Sequence, residues 1–179
     1  MKRTLLLIAA VMTICFTSCA QKTKTMSNSK TLVVYYSATG TTENVAKLIA
    51  SVKGGVVYQI KPTKEYSAAD LNWNDKSSRS TKEMADAKSR PAIVKDLKGI
   101  DNHDTIYIGF PIWWDEAPRV INTFIESYNL SGKTIIPFAT SGGSSISNSE
   151  KVLKSTYPKL KWAKGKLLNR ASKNDILKW

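Results

Sequence analysis

The chain of 179 residues has almost none of the side chains that build metal centres or thiol chemistry: two cysteines and one histidine. Cys15 and Cys19 both fall in the first twenty positions, so the remainder can form no disulfide, no thiol pair and no thiolate metal site. His103 cannot make a histidine cluster alone, and beside Asp104 in a polar stretch it reads as a surface residue. The two common nucleotide motifs, G-x-x-x-x-G-K-[ST] and G-x-G-x-x-G, are absent. No apolar run is long enough to span a bilayer as a helix, and no internal repeat is visible. Acidic residues are scarce too, 14 against 27 Lys and Arg, for a net charge of +13. Any chemistry must therefore be carried by a group that the chain binds.

What is present begins with a leader pattern. Lys2-Arg3 precedes an apolar stretch from Leu5 to Phe16, followed by the small residues Thr17-Ser18 and then Cys19. This resembles the lipobox of bacterial lipoproteins. The resemblance implies a signal peptide over 1–18, lipidation of Cys19, and a polar tether over 19–30. The protein would then be exported and membrane-anchored through its lipid, on the periplasmic or cell-surface side. A secretory signal cut at nearby small residues is the other reading. Without Lys2 and Arg3 the charge is still about +11. Nine cations lie between Glu150 and Trp179 against two acids, Glu150 and Asp175. Such a surface attracts acidic partners or anionic headgroups, or simply confers solubility. Nucleic acid is not expected as a partner, because no aromatic stacking platform interleaves the lysines.

Residues 31–179 read as one domain. Thr31–Tyr36, Val56–Ile60, Thr105–Phe110 and Thr134–Ala139 are short β-branched and aromatic runs of the buried kind, with a shorter edge strand around Lys164–Leu168. Val45, Leu48, Ile49 and Val52 share one helical face, ended by Gly54-Gly55. Val120, Ile121, Phe124 and Ile125 mark a second helix, with Pro118 in its first turn and Asp115 or Glu116 as its cap. Further helices are expected over 147–155 and 171–179. The alternation of strand and helix predicts right-handed crossovers and a parallel sheet covered on both faces. Pro137 removes a ladder donor, so a bulge or strand end is expected there. The long stretch 61–104 predicts a turn at Ala68–Trp73, a helix over Thr81–Lys88, and another starting at Arg90-Pro91 toward Lys98. It is longer than a crossover needs and suits a segment folded over a ligand.

Three loops at strand carboxyl ends carry the site. Ser37-Ala38-Thr39-Gly40-Thr41-Thr42 joins the first strand to its helix; hydroxyls, free amides and the positive helix end suit a phosphate without lysine. Pro111-Ile112-Trp113-Trp114-Asp115-Glu116-Ala117-Pro118 follows the third strand. Its adjacent tryptophans cannot both enter one core direction, so at least one is expected at the ligand edge, able to stack on a flat ring. Thr140-Ser141-Gly142-Gly143-Ser144-Ser145 follows the fourth strand, and its glycines permit close backbone approach to polar ring edges.

Taken together these loops resemble the flavodoxin family, and more closely its exported flavodoxin-like branch, from Thr31 to the end of the chain. The resemblance implies an α/β three-layer sandwich with a five-stranded parallel sheet in order 2-1-3-4-5 and one noncovalent FMN. Ser37, Thr39, Gly40, Thr41 and Thr42 would hold the phosphate, with Ala38 contributing its backbone. Pro111 and Ile112 would belong to the ring loop, Trp113 and Trp114 would flank the isoalloxazine, and Thr140, Ser141, Gly142 and Gly143 would contact its pyrimidine edge. The implied function is a low-potential electron-transfer carrier, serving a redox partner protein or a small-molecule electron acceptor. The alternative is an FMN-dependent NAD(P)H:quinone or nitro oxidoreductase, favoured by the tryptophans. Asp115 and Glu116 near the ring would lower its potential. The basic charge departs from typical acidic flavodoxins.

Overall fold

The computed structural model describes residues 30–179. The expected signal segment, most of the tether and Cys19 lie outside the described residues.

Strand β1 (Thr31–Tyr35) feeds helix α1 (Thr41–Lys53), which returns to β2 (Val56–Gln59). After the long crossover with its single helix α2 (Arg79–Ala85) come β3 (Thr105–Pro111), α3 (Arg119–Ser127), β4 (Thr134–Thr140) and α4 (Ser147–Thr156). Two short edge pieces, β5 (Lys161–Trp162) and β6 (Lys166–Leu167), and α5 (Lys173–Leu177) finish the chain. Every pairing is parallel, in order β2-β1-β3-β4-β5, with β6 also on β4. The expected order 2-1-3-4-5 is therefore observed, with its fifth position split in two.

The strands alternate their burial partners because successive side chains point to opposite faces. Val33, Tyr35, Tyr107 and Phe138 face α1 and α5, meeting Val45, Ala46, Ile49 and Ile176. Leu32, Val34, Ile106, Ile108, Phe110 and Ile135 face the other layer, meeting Val120, Ile121, Phe124 and Leu153. Both faces are buried, as a parallel sheet requires.

Pro137 produces neither a bulge nor a strand end in β4, which keeps register with β3 through Ile108↔Pro137. The interruption falls on the neighbour instead. Ile135 and Ala139 accept edge hydrogen bonds from Ala163 and Leu168. Since alternate residues point the same way, the missing N–H of Pro137 faces that edge, in the gap between β5 and β6. Gly165 fills the gap; a Cβ there would lie 2.7 Å from the Pro137 carbonyl oxygen and 2.8 Å from its ring.

Other expectations are corrected. No helix runs from Arg90-Pro91 toward Lys98: Pro91 and Ile93 are buried while Ala92 and Val94 are exposed, a period of two. This segment lies extended, with Thr63 N–H donating to Ala92 O and Val94 N–H to Lys61 O. Helix α3 has Pro118 at its N-cap with no side-chain cap, so neither Asp115 nor Glu116 serves. The terminal helix, Lys173–Leu177, is shorter than expected and starts at a Ser172–Asp175 capping box. His103 is not on the surface; it is 1% exposed, and its carbonyl accepts the Lys133 ammonium at 2.7 Å.

Candidate functional site

The parallel sheet aims every strand's carboxyl end at the same edge, where three loops meet around a cleft of about 690 Å³. Ser37, Ala38, Thr39, Thr41 and Thr42 line it from the first loop, Pro111, Ile112 and Trp113 from the second, and Thr140, Ser141 and Gly142 from the third. Gly40 and Gly143 belong to the same loops without lining the cleft, and Trp114 points into a neighbouring chamber.

The first loop is shaped by its own hydrogen bonding. Ser37 Oγ accepts the Gly40 N–H at 3.0 Å, and Gly40 takes a left-handed φ of 88° that glycine adopts without steric cost. As N-cap of α1, Gly40 leaves the helix without a side-chain cap. The amides of the first helical turn have no intrahelical acceptor. Thr41 and Thr42 of that turn line the cleft, beside the positive end of the helix dipole and among neutral hydroxyls.

The loops are fastened to one another below the cleft. The buried hydroxyls of Thr42 and Thr140 share a hydrogen bond at 2.8 Å, joining the first loop to the third. Ile112 N–H donates to Thr140 O at 2.9 Å, joining the second to the third. In the third loop Ser141 Oγ accepts the amides of Gly143 and Ser144 at 3.2 and 2.8 Å. Those amides are thus spent within the turn rather than offered to a ligand. The Ser141 amide in turn donates to Asn169 Oδ1 at 2.7 Å.

Asn169 and Arg170 line the cleft as well. Reasoning from the sequence missed both, although the rule that found the other loops covers them: they follow the edge strand's carboxyl end. Arg170 is the one charged side chain among the described residues lining the cleft. The charge there is positive, and the expected carboxylates do not reach it. Glu116 pairs with Arg119 at 2.7 Å, and neither it nor Asp115 lines the cleft.

Trp113 forms the aromatic wall. Its ring meets Tyr36 edge-on at 5.7 Å and Tyr66 at 5.4 Å. Arg79 lies 4.0 Å over the Tyr66 ring and binds Glu83 at 2.6 Å, while the Tyr66 hydroxyl donates to the same carboxylate. Burial drives the Tyr36 phenol far above its ordinary pKa, and burial with the Glu83 hydrogen bond does so for Tyr66. Both remain protonated across physiological pH and are poor proton donors. Among the described residues no cluster of His, Cys, Asp and Glu could hold a metal ion.

A neutral hydroxyl cradle at an uncapped helix start, an indole wall and a glycine-bearing third loop together define a site for a phosphorylated flat-ring ligand, on a doubly wound parallel sheet. The model of the flavodoxin family matches residues 30–179, and the chain belongs to that family. It is similar to a crystal structure from Bacteroides eggerthii assigned to the flavoproteins, at 55% identity and TM-score 0.82, covering 83% of this chain and 94% of that one. A second, from Bacteroides uniformis and likewise assigned, is 60% identical with TM-score 0.81, covering 83% and 96%. A Lactobacillus acidophilus flavoprotein in complex with FMN shares the fold at 23% identity and TM-score 0.66, covering 78% and 93%. No curated protein matches the chain.

Proposed function

We propose that this protein binds one FMN in the three-loop cleft and works as an electron carrier. The observation that carries the reading is the N-terminus of α1, left without a side-chain cap and opened onto a hydroxyl-lined cleft walled by Trp113. Ser37, Thr39, Thr41 and Thr42, with the first-turn amides of α1, would hold the phosphate, and Arg170 would add a counter-charge. Trp113 would lie against the flavin ring, and Gly142 of the third loop, whose backbone lines the cleft, would meet its polar edge. Bound there, the flavin supplies reversible one- and two-electron chemistry. The chain positions it, keeps one side dry and sets its potential. Arg170 favours added negative charge in the cleft and so works against a very low potential, whereas Glu116 is neutralised by Arg119.

The anchor belongs to the same reading: Cys19 carries the lipid, and the basic C-terminal section faces acidic partners or headgroups. Mass spectrometry of the exported protein would show a lipid adduct at Cys19; an unmodified N-terminus beyond it removes the anchor. For the cofactor, the purified protein should be yellow, or become so on addition of FMN, and give a stepwise dithionite titration. A colourless protein that refuses FMN ends the proposal. A second reading, FMN-dependent reduction of a quinone or nitro compound by NAD(P)H, is favoured by the open aromatic chamber beside Trp113. Stopped-flow mixing with NADH and NADPH separates the two, since a carrier takes no hydride from either.

A further inference from the structure

The cleft has a fourth side that the three expected loops do not supply. Asn169 and Arg170 line it from the turn between β6 and α5. Their position follows from the broken edge of the sheet. Strand β6 pairs with Phe138 and Ala139 near the carboxyl end of β4, and Leu168 N–H donates to Ala139 O at 2.8 Å. The chain leaving β6 therefore emerges level with Thr140 and Ser141, where the third loop begins. This turn is pinned at both ends: Leu168 is buried and Ala171 packs in the same layer, and the capping box of Ser172 fixes the start of α5. Only Asn169 and Arg170 lie between those anchors, and both are exposed.

The third loop orients Asn169. Its Oδ1 accepts the Ser141 N–H at 2.7 Å, and only the oxygen of a side-chain amide can accept from an N–H. The Nδ2 group is thereby turned away from Ser141, and it has no partner among the described residues. The loop itself has few donors left. Its Ser141 N–H is committed to Asn169, and those of Gly143 and Ser144 to Ser141 Oγ. Of the two turn residues that line the cleft, only Gly142 keeps an N–H for a ligand. The Thr140 hydroxyl is shared with Thr42, and the Thr140 carbonyl takes the Ile112 N–H. A flavin ring carries two carbonyl oxygens on its pyrimidine edge, and a buried carbonyl left without a donor costs about 1–3 kcal/mol. One amide is too few.

We propose that Asn169 determines how the polar edge of the bound ring is held: Oδ1 fixes the third loop, and Nδ2 donates to a ring carbonyl beside the Gly142 N–H. This rests on the reading of the cleft as an FMN site. A side chain from the turn after the edge strand thus supplies the donor that the third loop has spent on its own shape. The neighbouring Arg170 acts differently. Its charge reaches a phosphate through a screened field, whereas the neutral amide of Asn169 acts only within hydrogen-bond distance. The two roles of Asn169 use opposite poles of one amide, so substitution can separate them.

Asn169→Asp keeps an oxygen for the Ser141 N–H and loses the donor, whereas Asn169→Ala loses both. The test titrates the parent and both variants with oxidised FMN and with riboflavin, which carries the same ring without the phosphate, and reads flavin fluorescence. In parallel, NMR follows the Asn169 side-chain amide resonance, assigned by its loss in the variants. On addition of FMN to the parent, that resonance should shift and saturate with flavin occupancy. Asn169→Ala should weaken both flavins by the same factor, about tenfold. Asn169→Asp should weaken them at least as much, while exchange of the Ser141 N–H stays at the parent rate in this variant and quickens in Asn169→Ala. An Asn169→Asp variant that binds both flavins as well as the parent overturns the proposal and leaves Asn169 as a clamp. So does an amide resonance that stays in place on binding, or a loss in Asn169→Ala confined to FMN, which would put the amide at the phosphate. A parent that takes up neither flavin removes the cofactor reading and this assignment with it, an outcome distinct from a parent that binds and variants that match it.

Discussion

The cofactor cleft and the indole chamber share Ile112 and Trp113 yet are built by opposite means. The cleft is made of backbone: strand ends, a helix start and turns tied by hydrogen bonds among small hydroxyl residues. The chamber, lined by Leu71, Trp73, Ser80, Ile112, Trp113 and Trp114, is made of side chains, and the part of the crossover around α2 above it is held by Arg79, Glu83, Tyr66 and Arg119. A site fixed by the sheet inherits the rigidity of the core. One fixed by a few charged and aromatic contacts is adjustable, and the two should respond differently to substitution.

Arg119→Ala gives the largest expected effect. Arg119 is 5% exposed, pairs with Glu116 at 2.7 Å and donates to Met84 O at 2.9 Å, so it ties the tight turn closed between Trp113 and Glu116 to α2. Removing it leaves Glu116 without its partner and should cost about 3 kcal/mol of stability in urea unfolding. FMN affinity should fall by less than about tenfold, because no cleft residue depends on this guanidinium. Equal losses in both would show that the cavities are one mechanical unit.

Gly40 probes the cleft by itself. A Cβ there meets nothing within 4 Å, yet φ is 88°. The cost of a side chain is therefore conformational rather than steric: about 1–2 kcal/mol, divided between thermal stability and FMN affinity. Gly40→Ala and Gly40→Leu, neither of them β-branched, should then behave alike to within a few-fold. A much worse Leu variant, measured by FMN titration, would mean that the bound loop is tighter than the unliganded one.

The same contrast governs what could be read from the residues alone. A parallel sheet covered on both faces and all three loops followed from buried β-branched runs and helical spacing, because the sheet imposes them wherever those patterns occur, whereas the strand order came with the family resemblance of the loops. The edge was misread at Pro137, whose missing donor is accommodated by a break in the neighbouring strand at Gly165, a pairing that no local pattern encodes. Residues 90–98 were misread because Arg90-Pro91 looks like a helix start, whereas burial of Ile93 and pairing with residues 61–63 win. The chamber was not legible at all. Trp73 and Trp114 lie 41 positions apart in the sequence, and they meet only because a turn takes two left-handed residues that neither Trp nor Asp announces.

Trp114→Gly sharpens that last point. Glycine adopts φ 46° without strain, so relief of the turn should outweigh the lost half-exposed packing and raise stability by about 0.5–1 kcal/mol. A protein that loses stability instead, read by urea unfolding, would show that the indole packs more than it strains.

Arg170→Ala carries the smallest expected effect and separates the two cavities by charge. Arg170 is exposed at the rim of the cleft and is absent from the chamber. An exposed guanidinium acts on a phosphate through a screened field, so FMN affinity should fall about threefold at low salt and hardly at all near 1 M salt, where the screening length is about 3 Å. Calorimetric titrations with FMN at two salt concentrations read the effect. A salt-independent loss of FMN affinity would mean that Arg170 makes a direct, desolvated contact with the cofactor.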